Sequence, residues 1–211
     1  MLRRFLLGIL VVSLASLAWA GVPDLANSSI AIDPGAVNAH MYNTPIGDGF
    51  ASQFDAAFGT SGVVDATITL TLVDTDLEPI FAYPFADLWL ETSLGGLSIC
   101  AGGSVADQAT DELGQTTWSG LVLGGGYTAP GETTVCMIAG APLSSTVAIS
   151  HNSADISGDL RVDGTDNTFM AQLINENYTN NPLFAGDFDN SGVINLTDVT
   201  MYVPAIGDDC N

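Results

Sequence analysis

Two twelve-residue segments, 155–166 and 187–198, carry the side chains best suited to chemistry, and they carry them at the same spacing. Counted from the first aspartate of each segment, oxygen-bearing side chains stand at positions 1, 3, 5, 9 and 12. A β-branched residue, Val162 or Ile194, stands at position 8. A loop with this spacing can fold its oxygens around one Ca²⁺, with the backbone carbonyl of position 7 as a further ligand. The repeat therefore predicts a pair of calcium-binding loops.

A short apolar pattern follows each loop and predicts a helix. The first helix, over 167–176, would place three apolar residues on one face: Phe169, Leu173 and Ile174. The second repeats the pattern more briefly with these residues: Val199, Tyr202, Val203 and Ile206. Pro204 should shorten or kink that second helix. No convincing helix precedes either loop, whereas a standard EF-hand has a helix on both sides.

Two loop–helix units at the end of the chain resemble a type I dockerin domain, over about residues 153–207. The dockerin pattern D-x-N-x-D-G-x-(V/I)-(N/D)-x-x-D is similar to both copies, with Asp at position 12 in each. For one ion the resemblance implies the side chains of Asp155, Ser157, Asp159, Asp163 and Asp166 and the backbone carbonyl of Arg161. For the other ion it implies the side chains of Asp187, Asp189, Ser191, Asn195 and Asp198 and the carbonyl of Val193.

In that family, positions 10 and 11 contact a cohesin partner, which implies partner contacts by these residues: Gly164, Thr165, Leu196 and Thr197. Ser157 and Ser191 stand where stronger ligands are usual. Leu160 stands at position 6, where a small residue permits the sharp turn, and the second loop keeps Gly192 there. Crowded carboxylates repel one another until a cation lies among them, so chelation is expected to unfold this unit and leave the preceding domain largely intact.

The preceding region predicts a mainly β fold. Residues 67–72 alternate apolar side chains with threonines, the pattern of a half-buried strand. About six short strands with turn residues between them reach residue 150, which predicts an antiparallel β-sandwich. Residues 21–62 predict a loop-rich edge, with possible strands at 29–32 and 38–42 and a helical turn at 53–58. The run 124–126 of three glycines is interpreted as the end of a strand.

Residues 63–150 resemble bacterial invasin-type immunoglobulin-like domains. The resemblance rests on the segments 72–74 and 78–80, which are similar to a V-x-D…P-V strand pair, and on the T-D-x-x-G turn at 110–114. It implies an immunoglobulin-like sandwich that serves as a spacer, adhesive or scaffolding module. The predicted organisation is therefore a signal peptide at 1–20, a β-sandwich at 21–150, a polar junction at 151–153 and a dockerin-like domain at 153–211.

Composition restricts the partners. Arg3 and Arg4, an apolar run and Ala18-Trp19-Ala20 predict a cleaved secretory signal, and no later stretch is long and apolar enough to span a bilayer. Removal of the signal lowers the formal charge from -21 to -23 and leaves Arg161 as the only basic residue besides the two histidines. Nucleic acid and anionic membranes are therefore poor partners, whereas a divalent cation or a basic protein is suitable. The lack of lysine excludes P-loop and Schiff-base chemistry.

Secretion permits a disulfide, and Cys100 with Cys136 is the favoured pair because both lie in strand-like runs. Cys210 would then be free, paired between chains, or paired with a domain cysteine. His40 and His151 are interpreted as surface residues. Trp89 and Trp118 are favoured as core residues, with sugar stacking as the alternative.

The sequence thus predicts a secreted, non-catalytic bacterial protein that binds two calcium ions. Its dockerin-like module would attach it to a cohesin-like or other surface protein. One alternative is an adhesin or matrix protein in which the calcium unit supports its own sandwich. A further alternative is a carbohydrate-binding module with a glycan partner.

Overall fold

The computed structural model describes residues 21–47, 50–60 and 62–210. The predicted signal peptide at 1–20 therefore lies outside the described residues. Within the described ranges, no helix has the length and apolar character needed to cross a membrane.

Strands make up most of the regular structure in the described residues, as predicted for a mainly β protein. They are β1 Ser29–Ala31, β2 His40–Asn43, β3 Ala57–Gly59, β4 Gly62–Val64, β5 Ile68–Thr71, β6 Leu88–Thr92, β7 Leu97–Ile99, β8 Gln115–Trp118, β9 Gly124–Gly126, β10 Thr134–Ile138, β11 Ala141–Val147 and β12 Ser150–Ser153. The strands expected near 29–32 and 38–42 are confirmed, and the expected turn at 53–58 contains a 3-10 helix, Phe54–Ala56.

Antiparallel pairing dominates the sheets. β1, β5 and β8 form one three-stranded sheet, β11, β10 and β6 form another, and β7 pairs with β9. β12, β2, β3 and β4 form a fourth sheet, in which β12 runs parallel to β2 and departs from the antiparallel prediction. A parallel pair needs a long crossover, and here the crossover is the β-rich chain between residues 43 and 150.

The alternating pattern in β5 produces the predicted half-buried strand. Ile68 and Leu70 are fully buried, while Thr69 and Thr71 face a more accessible side. Trp118 of β8, opposite Ile68, is buried and donates its indole N–H to the carbonyl of Ser104 at 2.9 Å. The core interpretation of this tryptophan is confirmed, and the residue is not available to stack on a sugar.

The polar junction predicted at 151–153 is instead part of the buried strand β12. His151 and Asn152 are 1% and 0% exposed. The polar side chains are buried because they bond one another: His40 Nε2 lies 3.1 Å from Asn152 Oδ1, and His151 Nε2 lies 3.1 Å from Thr134 Oγ1.

The surface interpretation of both histidines is therefore wrong. Burial lowers the pKa of His40 to about 4 and the pKa of His151 to about 3. Both imidazoles are neutral at neutral pH and are used in packing and hydrogen bonding.

The favoured disulfide is also wrong. Cys100 bonds Cys210, with 5.6 Å between their Cα atoms, and Cys136 is free. Cys136 lies in the core within β10, whereas Cys100 follows β7 at the place that the folded-back C-terminus reaches. Burial raises the pKa of the Cys136 thiol to about 12, which keeps this cysteine inert in thiol exchange.

Within the described residues, α-helices occur only at the ends of the acidic loops: α1 Gly164–Ile174 and α2 Leu196–Tyr202. Both begin at position 10 of their loop, so α1 starts before the predicted 167–176. A 3-10 helix, Val203–Ala205, follows α2 and holds Pro204 in its first turn, as the expected shortening requires. Met170 and Leu173 form the buried face of α1, whereas Ile174 is 50% exposed, contrary to its predicted place on that face.

Two apolar clusters organise the described chain. One lies among the strands. The other joins the helices and loops of the C-terminal segment to Tyr42 of β2, which is fully buried there. The Tyr42 ring centroid is 4.7 Å from that of Phe188, and its hydroxyl donates to the carbonyl of Met201 at 2.9 Å. The C-terminal segment is therefore packed directly on the β region.

Candidate metal centre

The first loop brings three carboxylates together. Oxygen atoms of Asp155, Asp159 and Asp166, at positions 1, 5 and 12, lie within 4.8 Å of one another. Asp155 and Asp166 are fully buried, and Asp159 is exposed. Two fixed carboxylates with a third at the mouth form a pocket that can surround a cation on several sides.

The second loop repeats this geometry with one exchange. Oxygen atoms of Asp187, Asp189 and Asp198, at positions 1, 3 and 12, lie within 4.8 Å of one another. The third carboxylate thus comes from position 5 in one loop and from position 3 in the other. Ser157 and Ser191 occupy the complementary positions, so each loop has one weaker oxygen and three converging carboxylates.

The aspartate at position 1 folds each loop around itself. Asp155 accepts the backbone N–H groups of Gly158 at 2.8 Å and Leu160 at 2.6 Å. Asp187 accepts those of Ser191 at 2.8 Å and Gly192 at 2.7 Å. Both carboxylates are therefore held at the centre of their turns by backbone donors.

The aspartate at position 12 closes each loop. Asp166 accepts the N–H of Ser157 at 2.8 Å and that of Asp163 at 2.9 Å. Asp198 accepts the N–H of Phe188 at 2.7 Å through one oxygen. Its other oxygen accepts the N–H of Asn195 at 2.8 Å. Both oxygens of each carboxylate are thereby oriented before any ligand binds.

The residues at position 9, which were predicted as ligands, are the N-caps of the helices. Asp163 accepts the N–H of Thr165 at 2.7 Å, and Asn195 accepts that of Thr197 at 2.7 Å. Each forms a capping box with the aspartate at position 12. Asp163 is not among the carboxylates that converge in the first loop, so the position can contribute through water, as it often does in such loops.

Positive backbone φ angles occur at positions 4 and 6 of both loops. Gly158 and Leu160 have φ of 73° and 70°, and Asn190 and Gly192 have φ of 56° and 85°. The sequence indicated the turn at position 6 but not the one at position 4. Leu160 adopts the left-handed region at a cost of about 1–2 kcal/mol, because its Cβ crowds the following carbonyl.

The residues at positions 7, 10 and 11 of both loops are exposed. Those at position 7, Arg161 and Val193, are exposed, and Arg161 pairs with Asp209 at 3.2 Å. The four residues predicted to contact a partner are also exposed: Gly164, Thr165, Leu196 and Thr197.

Electrostatics favour a cation in both clusters. Burial raises the pKa of Asp155, Asp187 and Asp198 above the usual aspartate value. The negative charge of a neighbouring carboxylate raises each pKa further: Asp166 acts on Asp155, Asp198 on Asp187 and Asp189 on Asp198. In the described part of the chain, the one Arg–carboxylate pair is the Arg161–Asp209 pair outside both clusters. Buried carboxylate oxygens without a basic partner fit a hard divalent ion.

The β region supports the first loop through contacts that sequence reasoning missed. Gly126 donates its N–H to the carbonyl of Asp155 at 2.6 Å, and Ser98 Oγ donates to the carbonyl of Gly158 at 2.8 Å. A Cβ on Gly125 would lie 1.8 Å from the Asp155 carboxylate, so only glycine permits this approach. The run of glycines at 124–126 was the available signal. It forms strand β9 where a strand end was predicted.

Asn152 supports the second loop in the same way. Its Nδ2 donates to the carbonyl of Asp187 at 2.8 Å and to that of Phe184 at 2.9 Å. His40 in turn donates through Nε2 to Asn152 Oδ1, because the amide oxygen can only accept. In both loops, therefore, the carbonyl of the first aspartate is bonded to the β region while its carboxylate faces the acidic cluster.

Known proteins show little similarity to this chain. No protein-family model matches the chain, and no curated protein matches it. Among solved structures, the filamin domain of Lin-41 is similar at 18% identity over 60% of this chain and 95% of that chain, with a TM-score of 0.30. A TM-score of 0.30 indicates little overall similarity between the two folds.

Proposed function

We propose that the two loops bind one Ca²⁺ each and that the loaded loops hold α1 and α2 against the β region. The protein is then a non-catalytic calcium-stabilised module. The observation that carries this proposal is the double role of the first aspartate in each loop. Asp155 and Asp187 present buried carboxylates to an acidic cluster, and their carbonyls accept hydrogen bonds from β9 and β12.

The ligand set follows from the loop geometry. The three converging carboxylates of each loop supply the charge, and the position-7 carbonyls of Arg161 and Val193 complete the set, with water or the position-9 side chain at the remaining places. Ser157 and Ser191 make each site modest in affinity. Modest affinity is sufficient outside a cell, where calcium sites in the range 10⁻⁴–10⁻³ M are common, roughly matching the ion's supply.

The proposal extends the coarser finding of a mainly β protein with antiparallel sheets. In it, the β region is an immunoglobulin-like sandwich, the C-terminal segment is dockerin-like, and the chain is secreted. A unit of about 55 residues has too little apolar core to be secure alone, so ion binding supplies part of its folding free energy.

Isothermal titration of the metal-free protein with CaCl₂ tests the assignment. We expect two bound ions per chain, and one ion in each of the variants Asp166→Asn and Asp198→Asn. The exposed carboxylate of Glu112 lies outside both loops, so Glu112→Gln is the matched control and should retain two ions. Fewer than two ions in the unmodified chain, or no loss in either aspartate variant, would refute the assignment.

A second candidate function is attachment to a protein partner through the C-terminal segment. It is favoured by the exposure of the positions that the dockerin resemblance assigns to partner contact, above all Leu196, which is 74% exposed on the first turn of α2. Burial of an exposed leucine side chain in an apolar pocket of a partner would stabilise the complex by about 1.5–3 kcal/mol.

We expect the protein to capture a partner from its native secretome in calcium, to release it in chelator, and to lose it in Leu196→Asp. The variant Thr200→Asp, at an exposed position on the same helix, is the control for an added charge. Capture that is the same in calcium, in chelator and in Leu196→Asp would rule out this function and leave intramolecular support.

A further inference from the structure

The last described residues lie along the first loop. Val162 donates its N–H to the carbonyl of Asp208 at 2.9 Å and accepts the N–H of Gly207 at 3.0 Å. Cys210 donates its N–H to the carbonyl of Leu160 at 3.2 Å. We call residues 207–210 the C-terminal strap. The strap forms an antiparallel bridge in which Arg161 stands opposite Asp209.

This bridge fixes the direction of the position-7 carbonyl. In an antiparallel pair, backbone groups of successive residues point to alternate sides. The carbonyls of Leu160 and Val162 both point to the strap, so the carbonyl of Arg161 between them points to the interior of the loop. The N–H of Arg161 does point inward, since Asp159 Oδ1 accepts it at 3.2 Å. The strap thus orients the one backbone carbonyl expected to ligate the ion.

A covalent bond holds the strap in place. Cys210 is joined to Cys100, which follows strand β7 in the β region, across 110 residues of sequence. The first loop consequently has β9 on one side and the strap on the other, and the disulfide joins the strap to the end of β7, the strand that pairs with β9. Between described residues, no comparable backbone bridge holds positions 6 to 8 of the second loop.

We propose that the Cys100–Cys210 disulfide makes calcium binding at the first loop dependent on oxidation, whereas the second loop binds independently of it. This inference rests on the proposed calcium function and adds a control to one of its two sites. The first site reaches its full affinity only after the chain has been oxidised.

The chemical step is ordinary thiol–disulfide exchange. A dithiol reductant breaks the sulfur–sulfur bond, transfers two electrons and two protons to give thiols at Cys100 and Cys210, and becomes a cyclic disulfide itself. Without the disulfide, only non-covalent contacts hold the strap on Leu160 and Val162: three backbone hydrogen bonds and the Arg161–Asp209 pair. The ion pair contributes little because it lies at the surface. Buried Cys136 cannot replace either partner, because it lies in the core of the β region.

The test is calcium titration of the full chain with and without dithiothreitol, with one loop disabled at a time. Asp198→Asn isolates the first loop, and Asp166→Asn isolates the second. We expect reduction to raise the Kd of the first loop about tenfold or more, the size of effect found when the outer support of a metal site is lost. The Kd of the second loop should stay unchanged. Cys210→Ser should reproduce the effect without reductant, and Cys136→Ala should not.

Hydrogen exchange provides a second measurement that does not depend on variants. In the calcium-loaded chain, reduction should speed the exchange of the Val162 amide, which bonds the strap, and leave that of the Phe188 amide in the second loop unchanged. Equal weakening of both loops, or no weakening of the first, would overturn this inference alone. Absence of calcium binding at both loops of the oxidised chain would refute the proposed function, and with it this inference.

Discussion

Chelation of calcium is expected to open the C-terminal segment and to lower the thermal midpoint of the protein by roughly 10 °C. A ligand present at tenfold its Kd stabilises the folded state by about 1.4 kcal/mol per site, and two sites give about 3 kcal/mol. For a chain of 150–250 residues, each kcal/mol shifts the midpoint by about 2–4 °C. Repulsion among the buried carboxylates of each loop adds to this loss once the ions are gone.

The opening should be local at first. The apolar cluster among the strands contains no residue of the C-terminal segment, so the sheets can persist when the helices unpack. Tyr42 and Asn152 connect the two parts, and β2 and β12, which carry them, should therefore lose protection before the other strands. We expect proteolysis in chelator to cut first within 155–207.

Calorimetry and far-UV circular dichroism in calcium, in EDTA and after calcium is restored measure this effect. The double variant Asp166→Ala with Asp198→Ala should behave in calcium as the unmodified protein does in EDTA, since it removes the closing carboxylate of both loops. Magnesium, which prefers a smaller octahedral site, serves as the ion control. An unchanged melting curve and an unchanged proteolytic pattern in EDTA would show that the ions do not support the fold.

The features that could be predicted from sequence are those set by local spacing. The convergence of the carboxylates at positions 1 and 12, and the presence of a helix next to each loop, depend on residues close together in sequence. Strand β5 was predictable for the same reason, because alternation of isoleucine, leucine and threonine determines which face is buried. The start of α1 was not predicted, since it begins at Gly164 and the sequence indicated 167.

The features that could not be predicted depend on partners far away in sequence. Strand β12 is polar and reads as a linker, yet it is buried because His40 and Thr134 supply bonds to its side chains. Cys210, one residue from the end of the sequence, gives no indication of a partner, yet the strap brings it to Cys100. Glycines at 124–126 lack the alternation of a strand, and their role is visible only when the first loop lies against them.

The second large effect is expected from Gly125→Ala, which should eliminate calcium binding at the first loop. The new Cβ would lie 1.8 Å from Asp155 Oδ2 and 2.5 Å from its Cγ, far inside contact distance. Either the carboxylate leaves the position in which it accepts the N–H groups of Gly158 and Leu160, or β9 moves away from the loop. Overpacking of this kind costs about 1–3 kcal/mol in stability.

The matched control is Gly120→Ala, where an added Cβ meets nothing within 4 Å. Calcium titration should give one ion for Gly125→Ala and two for Gly120→Ala, and the remaining ion should disappear when Asp198→Asn is combined with Gly125→Ala. Because Gly125 is not itself a ligand, this result would separate support by the β region from ligation. Two ions bound with unchanged affinity in Gly125→Ala would mean that the first loop forms its site without β9, and that the strap and the loop's own hydrogen bonds are sufficient.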